Sequence, residues 1–171
     1  MIQDDWQRVG GIHVDDAGDI AAVWLARNPD DDVIHVYDCC VFRREVLAVI
    51  AEGLNARGRW IPVGWVSKEL ADKLLGMGCN VQPEPSDDSE GMAEMISRDI
   101  WARMRSGRFK VEKRLKEWLD EYKTFNRQES KVPRDTHPLM AATRHAVDQL
   151  QYARAQSTIR SKVNYPKVAI V

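Results

Sequence analysis

The stretch Arg8-Val9-Gly10-Gly11-Ile12-His13-Val14-Asp15 is a mostly apolar run that predicts a buried β-strand. A polar turn at residues 16–19 follows it, and a second apolar run covers residues 20–26. The Asn-Pro-Asp-Asp turn at residues 28–31 separates that run from a third, residues 32–42. Apolar runs separated by such turns are typical of hairpins. The opening therefore predicts three consecutive antiparallel strands.

Helical and strand patterns alternate after the hairpins. The spacing of apolar residues predicts helices over about 44–56, 68–77, 92–106, 112–123 and 137–156, and strands at 60–66 and 79–83. Hairpin strands followed by a βαβα series predict an α/β fold, a mixed sheet of about five strands flanked by helices, with strand 1 central. We expect one domain over residues 1–156 and a C-terminal tail over 157–171.

Composition indicates an ordinary globular domain. At 171 residues the chain can bury a core, and it contains no apolar stretch of the length that spans a bilayer. Cys39, Cys40 and Cys79 have neither zinc-site spacing nor a disulfide framework, so we expect reduced thiols. These features predict a cytoplasmic protein with no membrane partner.

Charge is distributed unevenly along the chain. Residues 1–54 carry 4 basic and 11 acidic side chains, whereas residues 98–171 carry 17 basic and 8 acidic ones. A basic half on a nearly neutral protein predicts a surface that faces an anionic partner. The best candidates for contact with a phosphate backbone are Arg98, Arg103, Arg105, Arg108, Lys110, Lys113, Arg114 and Lys116. Because no base-reading chemistry is visible, we expect weak binding to double-stranded DNA without sequence preference.

Four segments, in order, resemble the nuclease domain of phage terminase large subunits, which belongs to the RNase H-like superfamily. They are the opening hairpin, the strand Ile61-Pro62-Val63-Gly64-Trp65, the glycine-arginine turn and helix at 103–122, and the C-terminal segment 135–146. The last is similar to an acidic pair that runs into an Asp-Ala-x-Arg-Tyr-Ala helix. The resemblance covers about residues 6–154. It implies an RNase H-like fold, a phage or prophage origin in a bacterial host cell, and a part in viral DNA packaging.

The resemblance also implies three metal-binding acids, and none stands at its matching position. His13 stands at the first, Gly64 to Lys68 cover the second, and Ala141 stands at the third. Two-metal phosphodiester hydrolysis needs several carboxylates, and Mg²⁺ prefers oxygen ligands. We therefore interpret the chain as a pseudo-nuclease that needs no cofactor and binds DNA or a phage packaging protein. The packaging ATPase motif Gly-x-x-x-x-Gly-Lys-Ser/Thr does not occur in this sequence.

An alternative interpretation is a rebuilt metal site. His13 and Asp15 share one face of a strand, and Asp135 and His137 stand at the start of the final predicted helix. Two histidines and two aspartates could bind zinc or manganese, which would make the protein an active endonuclease dependent on Mg²⁺ or Mn²⁺. The same residues could instead be a turn aspartate, a helix cap and two surface histidines. Both interpretations stay open at the level of sequence.

Overall fold

The computed structural model describes residues 2–84, 90–127 and 135–156. The predicted tail at 157–171, and most of the polar segments predicted as loops around 84–91 and 126–135, lie outside the described residues. The strands are β1 (Gln7–Val14), β2 (Ile20–Arg27), β3 (Ile34–Phe42), β4 (Val63–Val66), β5 (Val81–Pro83) and β6 (Phe109–Val111). The helices are α1 (Leu47–Ala56), α2 (Lys68–Gly76), α3 (Glu90–Arg105), α4 (Lys116–Arg127) and α5 (Pro138–Asp148), and a 3₁₀ turn at Gln149–Tyr152 follows.

The strands form one mixed sheet in the order β5-β4-β1-β2-β3-β6. Strands β1, β2 and β3 pair antiparallel, and β1 pairs parallel with β4 on its other side. The predicted mixed sheet with strand 1 at its centre is therefore confirmed. Because β1, β4 and β5 run parallel, their carboxyl ends lie at the same edge of the sheet. None of the described helices is long and apolar enough to cross a membrane.

The described sheet has six strands rather than about five, because residues 109–111 pair parallel with the start of β3. A segment of three residues is too short for its pattern of apolar residues to predict a strand. Its partner strand, β3, lies some seventy residues earlier in the sequence. Helix α4 consequently begins at Lys116, not near residue 112, since the Glu112 amide still donates to the Val36 carbonyl of β3.

The last helix is also shorter than the predicted span of 137–156. It ends at Asp148, and after the 3₁₀ turn the chain leaves helical geometry to pair with β1. There the Arg8 amide donates to the Arg154 carbonyl at 2.8 Å and the Arg154 amide donates back at 3.1 Å. This backbone pairing between distant segments overrides the helical pattern of the sequence.

Each face of the sheet carries its own core. Alternate strand residues such as Val9 and Val23 pack with helices α3, α4 and α5, whereas Ile12 and Trp24 pack with α1 and α2. Helix α5 approaches β1 most closely at Gly11, where an added Cβ would lie 2.1 Å from the Ala142 carbonyl oxygen. Because only a residue without a side chain fits there, this contact fixes the position of α5 over the sheet.

Candidate functional site

A groove of about 380 Å³ opens at the edge where β1 and β4 end. Its polar and aromatic lining comes from five elements or their flanks: His13, Trp65, Ser67, Glu84, Arg144 and His145. In open sheets that contain parallel strands, ligands bind beyond the carboxyl ends of those strands. The groove is therefore the candidate functional site, and His13, predicted from the sequence, lies in its wall.

His13 lies near the end of β1, on the face that α5 covers. Its Nε2 donates to Asp135 Oδ1 at 2.9 Å, and this interaction contributes most to lowering the pKa of Asp135. The Asp16 carboxyl also hydrogen-bonds Asp135, which raises the pKa of Asp16. The structure thus brings His13 and Asp135, two of the four residues considered for a rebuilt metal site, into contact at the rim.

Arg144 and His145 place cationic chemistry at the groove, and sequence reasoning did not select either residue. His145 is buried, with its Nδ1 donating to the Ile12 carbonyl at 2.6 Å and its Nε2 accepting from Arg144 Nη2 at 2.9 Å. Burial, followed by the charge of Arg144, lowers the pKa of His145 to about 3, so the ring is neutral. The signal that could have found both is helical spacing, since they follow Ala141 by three and four residues.

The β4 region expected to carry the second acid holds none in the described structure. A Cβ at Gly64 would lie 1.7 Å from Nε2 of the buried Gln149 side chain, so Gln149 occupies the space where a carboxylate would stand. The next residue, Trp65, donates its indole N–H to Asp148 Oδ2 at 2.7 Å. Lys68 lies on α2, where its exposed side chain pairs with Asp72 at 3.8 Å.

Ala141, at the third expected acid, is buried on α5, and its amide donates to the His137 carbonyl at 3.0 Å. It lies one helical turn before His145 and shares a face of the helix with it. None of the three positions matched to metal-binding acids therefore carries a carboxylate. The first is His13 at the rim, the second is Gly64 beneath the Gln149 amide, and the third is the buried Ala141.

The other two residues considered for a rebuilt metal site, Asp15 and His137, make different contacts. Asp15 accepts from the Asp19 amide at 2.9 Å and so stabilises the hairpin turn. His137 is buried, its ring edge-on to Phe125 with centroids 5.2 Å apart, and burial lowers its pKa. Within residues 2–84, 90–127 and 135–156, no three His, Cys, Asp or Glu side chains are arranged to hold a metal ion.

The basic run at 98–116 divides into paired and unpaired side chains. Arg103 is largely buried between Asp99 and Asp32, and Arg98 and Arg114 pair with Glu94 and Glu112. Five exposed side chains form no ion pair with a described residue: Arg105, Arg108, Lys110, Lys113 and Lys116. These five lie between the end of α3 and the start of α4, on β6 and on the segments that flank it, where they could follow one backbone.

Comparisons with known proteins find structural likeness without close sequence likeness. No family model matches the chain, and no curated protein sequence matches it significantly. The nuclease domain of the phage P22 large terminase superposes with a TM-score of 0.79 at 17% identity, covering 94% of this chain and 89% of that one. This chain has the fold of a large-terminase nuclease domain.

Two further solved structures carry the same fold. The large terminase nuclease of thermophilic phage G20c, solved with bound zinc, matches with a TM-score of 0.60 at 16% identity over 86% of this chain and 84% of that one. The nuclease domain of the bacteriophage SPP1 large terminase, with bound manganese, matches with a TM-score of 0.58 at 14% identity over 84% and 86%. The predicted RNase H-like, terminase-type fold is therefore confirmed.

Proposed function

We propose that this protein is a catalytically inactive, terminase-nuclease-like protein of phage DNA packaging that binds DNA or a packaging partner. The observation that carries the proposal is the groove, where Glu84 is the one carboxylate among the described lining residues, which also include Arg144 and His13. The fold shared with large-terminase nuclease domains supports the connection to packaging.

The physical argument is electrostatic. Two divalent ions held about 4 Å apart repel each other, and several negative ligands must offset that repulsion. The residues present do not fit such a pair, because the Arg144 guanidinium is a cation and lies at the groove beside a neutral His145. We therefore derive no metal-dependent step for this chain and propose that it needs no metal cofactor.

The first experiment is plasmid cleavage with Mg²⁺ or Mn²⁺, for which we expect no nicking above background. A companion variant restores acids with His13→Asp, Ala141→Asp and Gly64→Asp, together with Gln149→Gly to clear the space over Gly64. Manganese binding, followed by calorimetry, should be stronger in this variant than in a control that carries Gln149→Gly alone.

The contrary outcome is specific. Manganese-dependent cutting by the unmodified chain that is abolished by Asp135→Ala or Asp15→Ala would support the rebuilt endonuclease and overturn the proposal. A rebuilt metal site would have to include the pair formed by His13 and Asp135, whose Nε2 and Oδ1 atoms lie 2.9 Å apart.

DNA binding is tested by its dependence on salt. Five exposed unpaired cations predict a slope of about −4 to −5 for the logarithm of affinity against the logarithm of salt, because each phosphate contact releases about 0.9 counterion. Changing Arg105, Arg108 and Lys110 to alanine should reduce the slope by about 3. The matched control changes Arg59, Lys68 and Lys73 to alanine, which removes three charges from α2 and from the segment between α1 and β4. Equal loss in both variants, or no binding at low salt, would leave a protein partner as the better assignment.

A further inference from the structure

A row of four side chains crosses the sheet near the amino end of β1, at the opposite end of that strand from the groove. Arg8 of β1 pairs with Ala26 of β2, Ala26 pairs with His35 of β3, and His35 pairs with Lys110 of β6. Because paired residues project to the same face of a sheet, the four lie side by side, on the face that α1 and α2 cover elsewhere. The row crosses three strand spacings of ~4.8 Å each, or about 15 Å.

Aromatic rings lie between the cations of this row. The Trp6 indole packs on the His35 ring, with the ring centroids 4.8 Å apart. The Arg8 guanidinium lies over the rings of Tyr37 and Trp60, at 5.9 and 5.5 Å from their centroids. All four rings are half-buried, so each keeps part of its surface in contact with solvent.

We infer that this row binds single-stranded DNA, with bases stacked on Trp6 and His35 and with the phosphate backbone held by Arg8 and Lys110. Proteins that bind single strands combine aromatic side chains, on which bases stack, with cations that follow the backbone. The bases of a duplex are stacked on each other and do not offer their faces to such rings. The inference deepens the proposed function and rests on it, since it names a form of DNA and a surface separate from the groove.

The two cations of the row are available to phosphate oxygens. Lys110 is exposed and forms no ion pair with a described residue, and the nearby Glu112 carboxylate is already paired with Arg114 at 2.6 Å. Arg8 pairs with the exposed Asp4 carboxylate at 3.9 Å, a distance too long for a hydrogen bond. An exposed ion pair of this kind is weak, so a phosphate group can compete with Asp4 for the guanidinium.

His35 supplies a ring face, and Asp31 supplies the opposing charge. Burial, followed by the charge of Lys110, lowers the pKa of His35, so the ring is neutral at pH 7. The Asp31 carboxylate lies near enough to act on His35, and it disfavours an anion there. Asp31→Asn keeps the oxygen that accepts from the Val33 amide and removes the charge, so it should tighten the binding of a single strand severalfold. Weaker binding in Asp31→Asn would contradict the inference.

The main experiment compares two labelled strands of equal length and charge, an oligothymidylate and an abasic twin that carries no bases. Fluorescence anisotropy at low salt measures the affinity of the full chain for each. Because each stacked base adds to the affinity, we expect the oligothymidylate to bind about tenfold tighter or more. Trp6→Ala and His35→Ala should lower its affinity to that of the abasic strand, whereas Trp6→Phe should keep most of it.

Trp101→Ala is the matched control. Trp101 is also half-buried and packs on Tyr122 with the same interplanar angle of 47° that relates Trp6 to His35. It lies on α3, which packs on the other face of the sheet, so its loss should leave the affinity for both strands unchanged.

Equal affinities for the two strands overturn the inference, because charge alone would then account for the binding. This comparison uses the unmodified chain and stands even if Trp6→Ala does not fold. A lack of oligothymidylate binding at low salt, or equal losses in Trp6→Ala and Trp101→Ala, also overturns the inference. Metal-dependent cutting of plasmid overturns the proposed function instead, so the two failures are distinguishable.

Discussion

Two positions on β1, only two residues apart, are packed in opposite ways. At Gly11 the backbone of α5 lies so close that no side chain fits, whereas His13 lines an open groove and contacts an exposed aspartate. The first contact holds the fold together, and the second position is open to chemistry. The comparison shows that this architecture fixes where a site lies without fixing which residues occupy it.

The largest effect on stability is expected from Gly11→Ala. The new Cβ would lie 2.1 Å from the Ala142 carbonyl oxygen and 2.3 Å from the Ala146 amide nitrogen, and backbone atoms of a helix cannot move aside singly. We expect a loss of about 3 kcal/mol or more in the free energy of unfolding, measured in urea. Gly76→Ala, at a helical glycine with no neighbour within 4 Å, is the control and should be neutral or stabilising. Equal effects of the two changes would contradict the account of Gly11.

A second substitution tests whether Gln149 replaces a side chain on β4. Gly64→Ala places a Cβ 1.7 Å from Gln149 Nε2, the end of a flexible side chain, so we expect a cost of about 1–3 kcal/mol. In a Gln149→Ala background the same change should cost much less, giving a coupling of about 1–2 kcal/mol in a double-mutant cycle. Additive costs would show that the two residues do not share the space.

Glu121 connects α4 to the first turn of α5 and predicts a dependence of stability on pH. Its carboxylate accepts from the Met140 amide at 2.8 Å, and burial raises its pKa from 4.5 to about 7. Because the folded state then binds the proton more tightly than the unfolded state, the free energy of unfolding should fall as pH rises from about 4.5 to 7. After allowance for partial exposure, we expect a fall of about 1–2 kcal/mol.

Glu121→Gln keeps an acceptor for Met140 and removes the titration, so the unfolding free energy should lose this component of its pH dependence. Asp120→Asn, at an exposed neighbouring position on the same helix, should leave the dependence unchanged. An unaltered profile in Glu121→Gln would assign the pH dependence to other groups.

The smallest effect is expected at the groove itself. Asp135→Asn removes the charge that faces His13, but both side chains are partly exposed, and such pairs contribute about 0–1 kcal/mol. Thermal unfolding should therefore change little, in contrast to Gly11→Ala. A loss as large as that of Gly11→Ala would mean that the rim also holds the fold together.

Local patterns in the sequence predicted most of the fold. Runs of alternating or continuous apolar residues gave the hairpin strands, and helical spacing located α1, α2 and α3 to within a few residues. The start of α1 was placed too early, because Arg44 adopts a left-handed conformation with φ 53° and its amide donates to Asp19. That contact joins residues 25 positions apart, and periodicity carries no information about it.

Residue types and the order of the predicted elements were enough to predict the fold class and the central position of β1, and the resemblance to terminase nuclease domains predicted that acids are lacking at three matched positions. What surrounds those positions depends on tertiary contacts: Gln149 lies over Gly64, and Arg144 and a neutral His145 lie beside His13. Tertiary contacts also decided the sixth strand and the early end of α5. These features arise from contacts between segments that are far apart in the chain. The energies of such contacts depend on shape and burial, which a local sequence pattern does not contain.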